Sequence, residues 1–524
     1  MTRFAMLAPA ALMAGALLST SALAQQPFQC GRTGGTVQYG LDSKVAGLDQ
    51  HTSTAGSTRD VSINIYESLV TRDDNFKSML ALAQSVDVSP DQRVFTFKLR
   101  QGVRFHNGKV MTSEDVLASF ERYKRVGASR YILDLADHWE APDANTFVIT
   151  LKQPQPIYLE MLSYFTVPMV IVPKENASAP PLQLPPVGTG PYQLTEYVPD
   201  SYVRLRRFEG YQPDTRYTEA SGFGGYKVAC LDSITERMYT ETAARTAALE
   251  TGEIQGMASV PTASQKRLAD NKSIRLLRMD NYVVPITYPN ISFPPTDNVK
   301  VRQAILASLN MDEIMDAASD GDYKLNPSLQ YAGTNYYSDA GKEFYNQHNP
   351  ARARQLLQEG GYKGEKVILL TTRESPYLYN SALVMSEQMK AAGINAELLV
   401  LDWPTALQKS VSDATGWNYF FTGWVTVVAL GGAQSLSNLA DPNNVDHPPG
   451  DKTDPEFMQY FNQVSRGTTL AERAAAFAKA QYRMFDQGYA IPFGIMPMVI
   501  GVRDNVEGFK AYYHPRFYNV WLKN

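Results

Sequence analysis

The sequence predicts an α/β protein of two to three domains, and three observations carry that reading. The chain has 524 residues, more than one hydrophobic core ordinarily supports. Beyond about residue 230, amphipathic helical stretches alternate with short apolar strands, the pattern of a sheet covered by helices. One of those strands, "KVILLTT", is apolar at almost every position, as in a sheet covered on both faces. No period of 20 to 50 residues repeats, and no low-complexity linker divides the chain.

Taken in order, Thr36 to Leu41 alternates as a strand and runs into a Ser/Thr/Gly loop through Thr58. The stretch "VSINIYESLVTRD" reads as a helix with Ile63, Tyr66 and Leu69 on one face. "RVFTFKLR" has a period of two, with Phe95, Phe97 and Leu99 on one side and Val94, Thr96 and Lys98 on the other. "MTSEDVLASFERYKR" reads as a capped helix: Thr112 at the N-cap, acids in the first turn, Val116 and Phe120 spaced for burial. "TFVITLK" is a strand, and the Pro/Gly loop "LQLPPVGTGPY" leads into "QLTEYV". "TETAARTAALETGEIQG" predicts a helix with a Gly stop, and "MASV" a short strand. "KVRQAILASLNMDEIMDAAS" reads as one long amphipathic helix. In "NPARARQLLQEGGYKG", Asn349 is the N-cap, Pro350 takes the first helical position and Gly360-Gly361 stops the helix. "ALVMSEQMKAAGI" is a further helix and "AELLVLDW" the next strand.

A hydrophobic fraction of 44% with 19% charged residues describes an ordinary folded soluble protein. The net charge of -4 gives no reason to expect nucleic acid or an anionic membrane as partner. Thirty Tyr and 31 Pro describe a loop-rich chain whose aromatics suit either ligand recognition or, the commoner use in a chain this long, core and rim packing. The N-terminus combines Arg3, a short apolar run broken by Pro9, and Ala22-Leu23-Ala24 before Gln25, the pattern of a secretory signal peptide cleaved near Ala24. No Cys follows that site directly, so a lipid anchor is not expected, and a soluble, exported mature chain beginning near Gln25 is. Cys30 and Cys230 then enter an oxidising compartment, where they either bridge the mature N-terminus to the body or stay as two unpaired thiols.

Catalytic signatures are missing: no G-x-S-x-G elbow, HExxH, GxxxxGK[ST] or CxxC occurs. The six His are scattered without the close spacing of a metal pair, so no metal and no cofactor is expected. "GTG" at Gly188 to Gly190 is followed by Pro191 and Tyr192 where a phosphate loop needs a helix N-terminus, and reads as a structural turn. "DPNNVDH", Asp441 to His447, lacks the turn Gly and terminal Glu of a calcium loop.

"IYESLV", "FTFKLRQGVRFHNGKVMTSEDVLASFER", "VGTGPY", "DNVKVRQAILASLN" and "NPARARQLLQEGGY" resemble, in order and spacing, the periplasmic peptide-binding proteins of ABC importers. This is solute-binding family 5, which includes dipeptide, oligopeptide and nickel binders. The resemblance spans about residues 35 to 520. It implies a type II two-lobed periplasmic-binding-protein fold with an extra subdomain in lobe I. The expected division is a signal peptide over 1–24, lobe I over 25–283 with the subdomain at about 76–200, lobe II over 284–495, and a return to lobe I over 496–524. The implied function is capture of a small organic solute (peptide-like, opine-like or an organic acid) between closing lobes, and its delivery to the importer's transmembrane subunits. The expected protein is a monomer without catalytic residues; an exported hydrolase, or a chaperone or sensor partner on the same fold, is the alternative.

The resemblance also implies ligand contacts. Arg373, in "LLTTRESPYLYN", stands where peptide binders receive a carboxylate, and a guanidinium can offer two parallel donors to it. Gly423-Trp424 stand in the uncharged stretch "FFTGWVTVVALGG", where those binders follow the Gly-Trp pair with an ammonium-accepting Asp. Here Val427 and Val428 occupy that region, which disfavours a free ammonium unless a carboxylate elsewhere takes over. Trp424 is expected near the ligand, with Trp403, Tyr377 and Tyr331 completing the pocket.

Overall fold

The computed structural model describes residues 26–424 and 454–523, with Leu436 and Leu439 between them. The signal segment, Val427, Val428 and the Asp441–His447 loop lie outside the described residues.

The backbone of the fold is one sheet of eleven strands that serves both lobes. At its centre lies Ile274–Pro289, a 16-residue strand. Its first part pairs antiparallel with Met496–Arg503; the register breaks between Met279 and Val283. From Val284 onward it pairs instead with Tyr419–Trp424. On the lobe I side the order continues through Gly256–Met257, Thr36–Leu41, Ser233–Met238, Tyr202–Arg207 and Tyr192–Val198. On the lobe II side Val367–Thr371 and Ala396–Val400 add parallel strands. Val367–Thr371 is wholly or nearly buried along its length, as its unbroken apolar sequence requires.

Separate cores sit on the two sides. One is built from residues between Ile286 and Phe493, and includes Trp417, Phe421 and Phe477. A second combines Val37, Tyr39 and Ile234 with the late residues Ile500, Phe509 and Phe517. A third, between Leu69 and Ile171, lies under a four-stranded sheet in which Val94–Leu99 pairs with Ala83–Val88 and Thr146–Leu151. Within Val94–Leu99, Phe95, Phe97 and Leu99 are buried and Lys98 is exposed, as the alternation requires. Thr112 and Asp115 form a reciprocal capping box at the start of Ser113–Val126. Cys30 and Cys230 form a disulfide with Cα atoms 5.8 Å apart.

Two expected helices differ. The helix at residues 56–62, Gly56–Ser62, ends where the expected one begins, and Val70–Arg72 is a strand. Between them the backbone serves another segment: Gly190 N–H donates to the Ile65 carbonyl, Tyr192 N–H to Asn64, and Ile171 N–H to Glu67. The long helix over residues 300–319 is two, Val299–Ser308 and Met311–Ser319. Leu309 is extended, and the Asn310 side chain accepts from the Asp312 and Glu313 N–H groups to start the second.

Candidate functional site

The parallel strands Thr36–Leu41, Ser233–Met238 and Gly256–Met257 end on the same side of the sheet, beside the register break of the long strand. In open α/β sheets ligands gather outside the carboxyl ends of such strands. Asp42 and Ser259 follow two of these ends, and the Ser259 hydroxyl donates to Asp42 Oδ2 at 2.6 Å. Ser259 holds a left-handed φ of 54°, an uncommon geometry for a residue with a Cβ.

Lobe I presents an acidic and aromatic wall here. Tyr39 and Glu236 are register partners on adjacent strands, so both side chains stand on one face. Burial, with the nearby Asp60 carboxylate, pushes the Glu236 carboxyl well above its usual range. Burial also raises the Tyr39 phenol, reinforced by Asp60, Asp42 and Glu236. Asp60 is held by His514, whose Nδ1 lies 2.7 Å from Asp60 Oδ1. Arg59 Nε donates to His514 Nε2 at 3.1 Å, so Nδ1 carries the proton that goes to Asp60. Burial lowers the His514 pKa, with Asp60 opposing the shift. Beside these groups Phe76 stacks on Tyr512 at 5.5 Å, Tyr282 stacks on Tyr513 at 5.6 Å, and Phe223 meets Tyr512 edge-on at 4.8 Å. A cavity bounded by Gln50, Arg59, Ser62, Phe165, Phe223 and His514 opens behind this wall, and none of the sequence-predicted ligand residues lines it.

Two sequence-predicted residues approach the wall from lobe II: Tyr331, through Tyr282, and Tyr377. The Tyr377 hydroxyl lies over Gly423, 2.6 Å from where a Cβ would stand, so Gly is needed there for close approach. Burial raises its phenol pKa, and Asp42 of the facing lobe adds to the shift. Tyr331 is buried at the crossing, where its hydroxyl donates to the Tyr282 carbonyl at 3.1 Å. Trp424 and Trp403 are joined through other rings: Trp403 stacks on Phe420 at 5.7 Å, Phe420 meets Tyr288 edge-on, and Tyr288 lies 6.0 Å from Trp424. Trp424 and Gly423 are adjacent strand residues, so Trp424 faces away from the Tyr377 side. Arg373 is exposed; its guanidinium lies 4.8 Å over the Tyr379 ring and donates to the Tyr379 hydroxyl at 3.1 Å. Tyr377 and Tyr331 thus sit at the junction of the lobes, the two Trp form a separate ring ladder, and Arg373 stands at the rim of lobe II.

The acids of lobe I are what residue patterns missed. Asp42, Asp60 and Glu236 lie far apart in sequence. The one cue is Glu236 itself, a carboxylate between Ile234 and Met238 on the inward period of a strand.

The shared sequence motifs have structural work close by. Gly188 and Gly190 press against the backbone of Ile65 and Asn64, where a Cβ would come within 2.6 Å of a carbonyl oxygen or closer. His106 clamps the same turn: Gly188 N–H donates to its Nδ1 at 3.3 Å, and its Nε2 donates to the Gly190 carbonyl at 3.0 Å. Burial lowers the His106 pKa to about 4, which keeps this neutral form. Thr189 donates to Glu67 at 3.0 Å, and Lys227 pairs with the same carboxylate at 2.5 Å. "VGTGPY", "FHNG" and "IYESLV" therefore meet at one point, and the Gly-rich turn is a packing device.

No helix among the described residues is long and apolar enough to cross a membrane. Residues 78–446 match the sequence family described as bacterial extracellular solute-binding proteins, family 5, middle region. A Brucella ovis protein named as an ABC transporter peptide-binding protein is 31% identical over 71% of this chain and 70% of its own length. The glutathione-binding protein GsiB of Shigella dysenteriae is 26% identical over 90% of this chain and 91% of its own. Among solved structures, the periplasmic binding protein AgaA of A. tumefacien R10, in complex with agropinic acid, superposes with a TM-score of 0.81 at 25% identity. That match covers 94% of this chain and 99% of AgaA. The match extends over most of the chain and agrees with the two-lobed architecture: the chain belongs to the bacterial extracellular solute-binding proteins of family 5, the periplasmic binding proteins of ABC transporters.

Proposed function

We propose that this protein captures one small organic solute, peptide-like, opine-like or an organic acid, between its lobes and hands it unchanged to the transmembrane subunits of an ABC importer. The observation that carries the reading is the crossing at Met279–Val284, where one strand leaves the lobe I sheet and joins that of lobe II. A register break inside a shared strand is a natural hinge, because a few residues can absorb the backbone rotation of closure. Across that hinge Asp42 of lobe I acts on the buried Tyr377 phenol of lobe II.

In this reading lobe I comprises residues 25–283 with its subdomain at about 76–200, lobe II residues 284–495, and 496–524 return to lobe I. Tyr377 and Tyr331 close over the solute, Trp424 and Trp403 supply apolar surface, and Arg373 receives a carboxylate at the rim. The mature protein begins near Gln25 after cleavage at Ala24, and works as a periplasmic monomer. Relatives named for peptides, glutathione and agropinic acid set the range of solutes to try.

Native mass spectrometry of the protein purified from the periplasm, followed by calorimetric titration with peptides, glutathione and opines, tests this. One equivalent of an unmodified solute is expected. Conversion of the solute, or no binding across the panel with no retained solute, would overturn the proposal.

A further inference from the structure

The lobe I wall holds a feature that solute capture alone does not require. Glu236 is 0% exposed and Tyr39 is 1% exposed, and among the described residues neither Glu236 carboxylate oxygen nor the Tyr39 hydroxyl has a hydrogen-bond partner. Three buried polar atoms left unpaired on neighbouring strands are costly, since each forfeits its hydration and gains nothing. Asp60 and Asp42 act on the same hydroxyl from the Gly56–Ser62 helix and from the end of the first strand.

Among the described residues no cation is hydrogen-bonded to Glu236 or to the Tyr39 hydroxyl. Burial and the like charge of Asp60 both disfavour an ionised Glu236. Arg59 is committed to His514 and to the Thr54 and Thr166 carbonyls. Arg245 lies against Gly40 on the other face of the sheet; its charge acts on Asp42 and Tyr39 while its guanidinium donates to the Tyr239 carbonyl. Tyr282, which approaches from the long strand, brings no positive charge.

We propose that Glu236 and Tyr39, with Asp60 and Asp42 beside them, form the subsite that receives a cationic nitrogen of the transported solute, an ammonium or a guanidinium. The inference rests on the solute-binding reading and adds the chemistry of one end of the solute. An N–H donor entering here satisfies the unpaired oxygens, and its charge offsets the repulsion among the acids. Glu236 then ionises as the cation arrives, because the partner reverses the effect of burial on its carboxyl. Binding therefore releases a proton.

The test titrates the full-length mature protein with phenethylammonium and with its neutral isostere 2-phenylethanol at constant ionic strength, by calorimetry in two buffers of different ionisation enthalpy. The expected result is one saturable site for phenethylammonium, about one proton released per cation bound, and binding weakened at least tenfold in Glu236→Gln with no proton release. Tyr39→Phe, which keeps the ring and its packing, should weaken the ammonium less and leave proton release in place. Equal binding of the two probes, or a Glu236→Gln protein that binds the ammonium as wild type does, would overturn the assignment. A retained native solute without any basic nitrogen would overturn it too, while leaving the solute-binding reading intact. Absence of any bound solute or probe would remove both.

Discussion

Replacing Lys227 by Met strands a carboxylate that the fold holds ionised in its interior. Glu67 and Lys227 are each 3% exposed at the side chain, with Nζ and Oε1 2.5 Å apart. Burial alone pushes the Glu67 carboxyl up; Lys227, Arg100 and the hydrogen bonds from Lys227 and Thr189 more than offset it, so its pKa ends below the usual value. Removing one partner of a buried pair costs about 3–5 kcal/mol, because the other charge stays uncompensated. Thr189 and Tyr211 still donate to Glu67 in the variant, which favours the lower end, about 3 kcal/mol. The sign with pH follows from the depressed pKa: the stabilisation is present above the unfolded carboxyl pKa and fades as pH falls through the folded value. The deficit of Lys227→Met is therefore largest at neutral pH and shrinks on acidification, as Glu67 protonates and no longer needs the ammonium. Urea unfolding at several pH values measures it, and Glu67→Gln combined with Lys227→Met should recover part of the loss. A neutral-pH deficit below about 1 kcal/mol, in the range of an exposed pair, would refute the reasoning.

Three further outcomes are expected. Burial lowers the pKa of His51 from 6.5 to about 4, so its contribution to stability is present above pH 6.5 and lost as pH falls toward 4; an unfolding series across that window should show the loss, and His51→Gln should flatten it. Cys30→Ala with Cys230→Ala opens a crosslink with a sequence separation of 200 residues, and the unfolding free energy should drop by about 3–5 kcal/mol with one linked pair lost from a non-reducing peptide map. Arg373→Ala should weaken a carboxylate solute about 30-fold and its neutral amide scarcely at all, while Trp424→Ala should weaken both, as read by calorimetry.

Much of the fold is legible where side-chain spacing and burial agree. The alternation over Val94–Leu99 and the capping box at Thr112 are visible in the residues because local geometry decides them. Ile63, Tyr66 and Leu69 carry helical spacing too, but the backbone between Asn64 and Glu67 is claimed by distant N–H groups from Ile171, Gly190 and Tyr192. Tertiary pairing overrides the pattern there. At residues 299–319 the break was present in the text: Asn310 precedes Glu313 by three, the spacing of a cap, inside an otherwise continuous apolar stripe. The strand Ile274–Pro289 is hidden for the opposite reason, since Arg275, Arg278 and Asp280 interrupt any single period. The candidate site was legible only in part. Tyr377 lies in a stretch that the family resemblance marks, whereas Asp42 and Glu236 are brought together by the parallel order of the sheet and Asp60 by the helix beside it.

The central claim is that two lobes close on a solute about the crossing at Met279–Val284. Small-angle scattering of the protein purified from its host, with and without bound solute, measures that directly. The account predicts a smaller radius of gyration on saturation, reversed when the solute is dialysed away, with the solute recovered unchanged. An unchanged radius at saturation, or recovery of a cleaved solute, would contradict it.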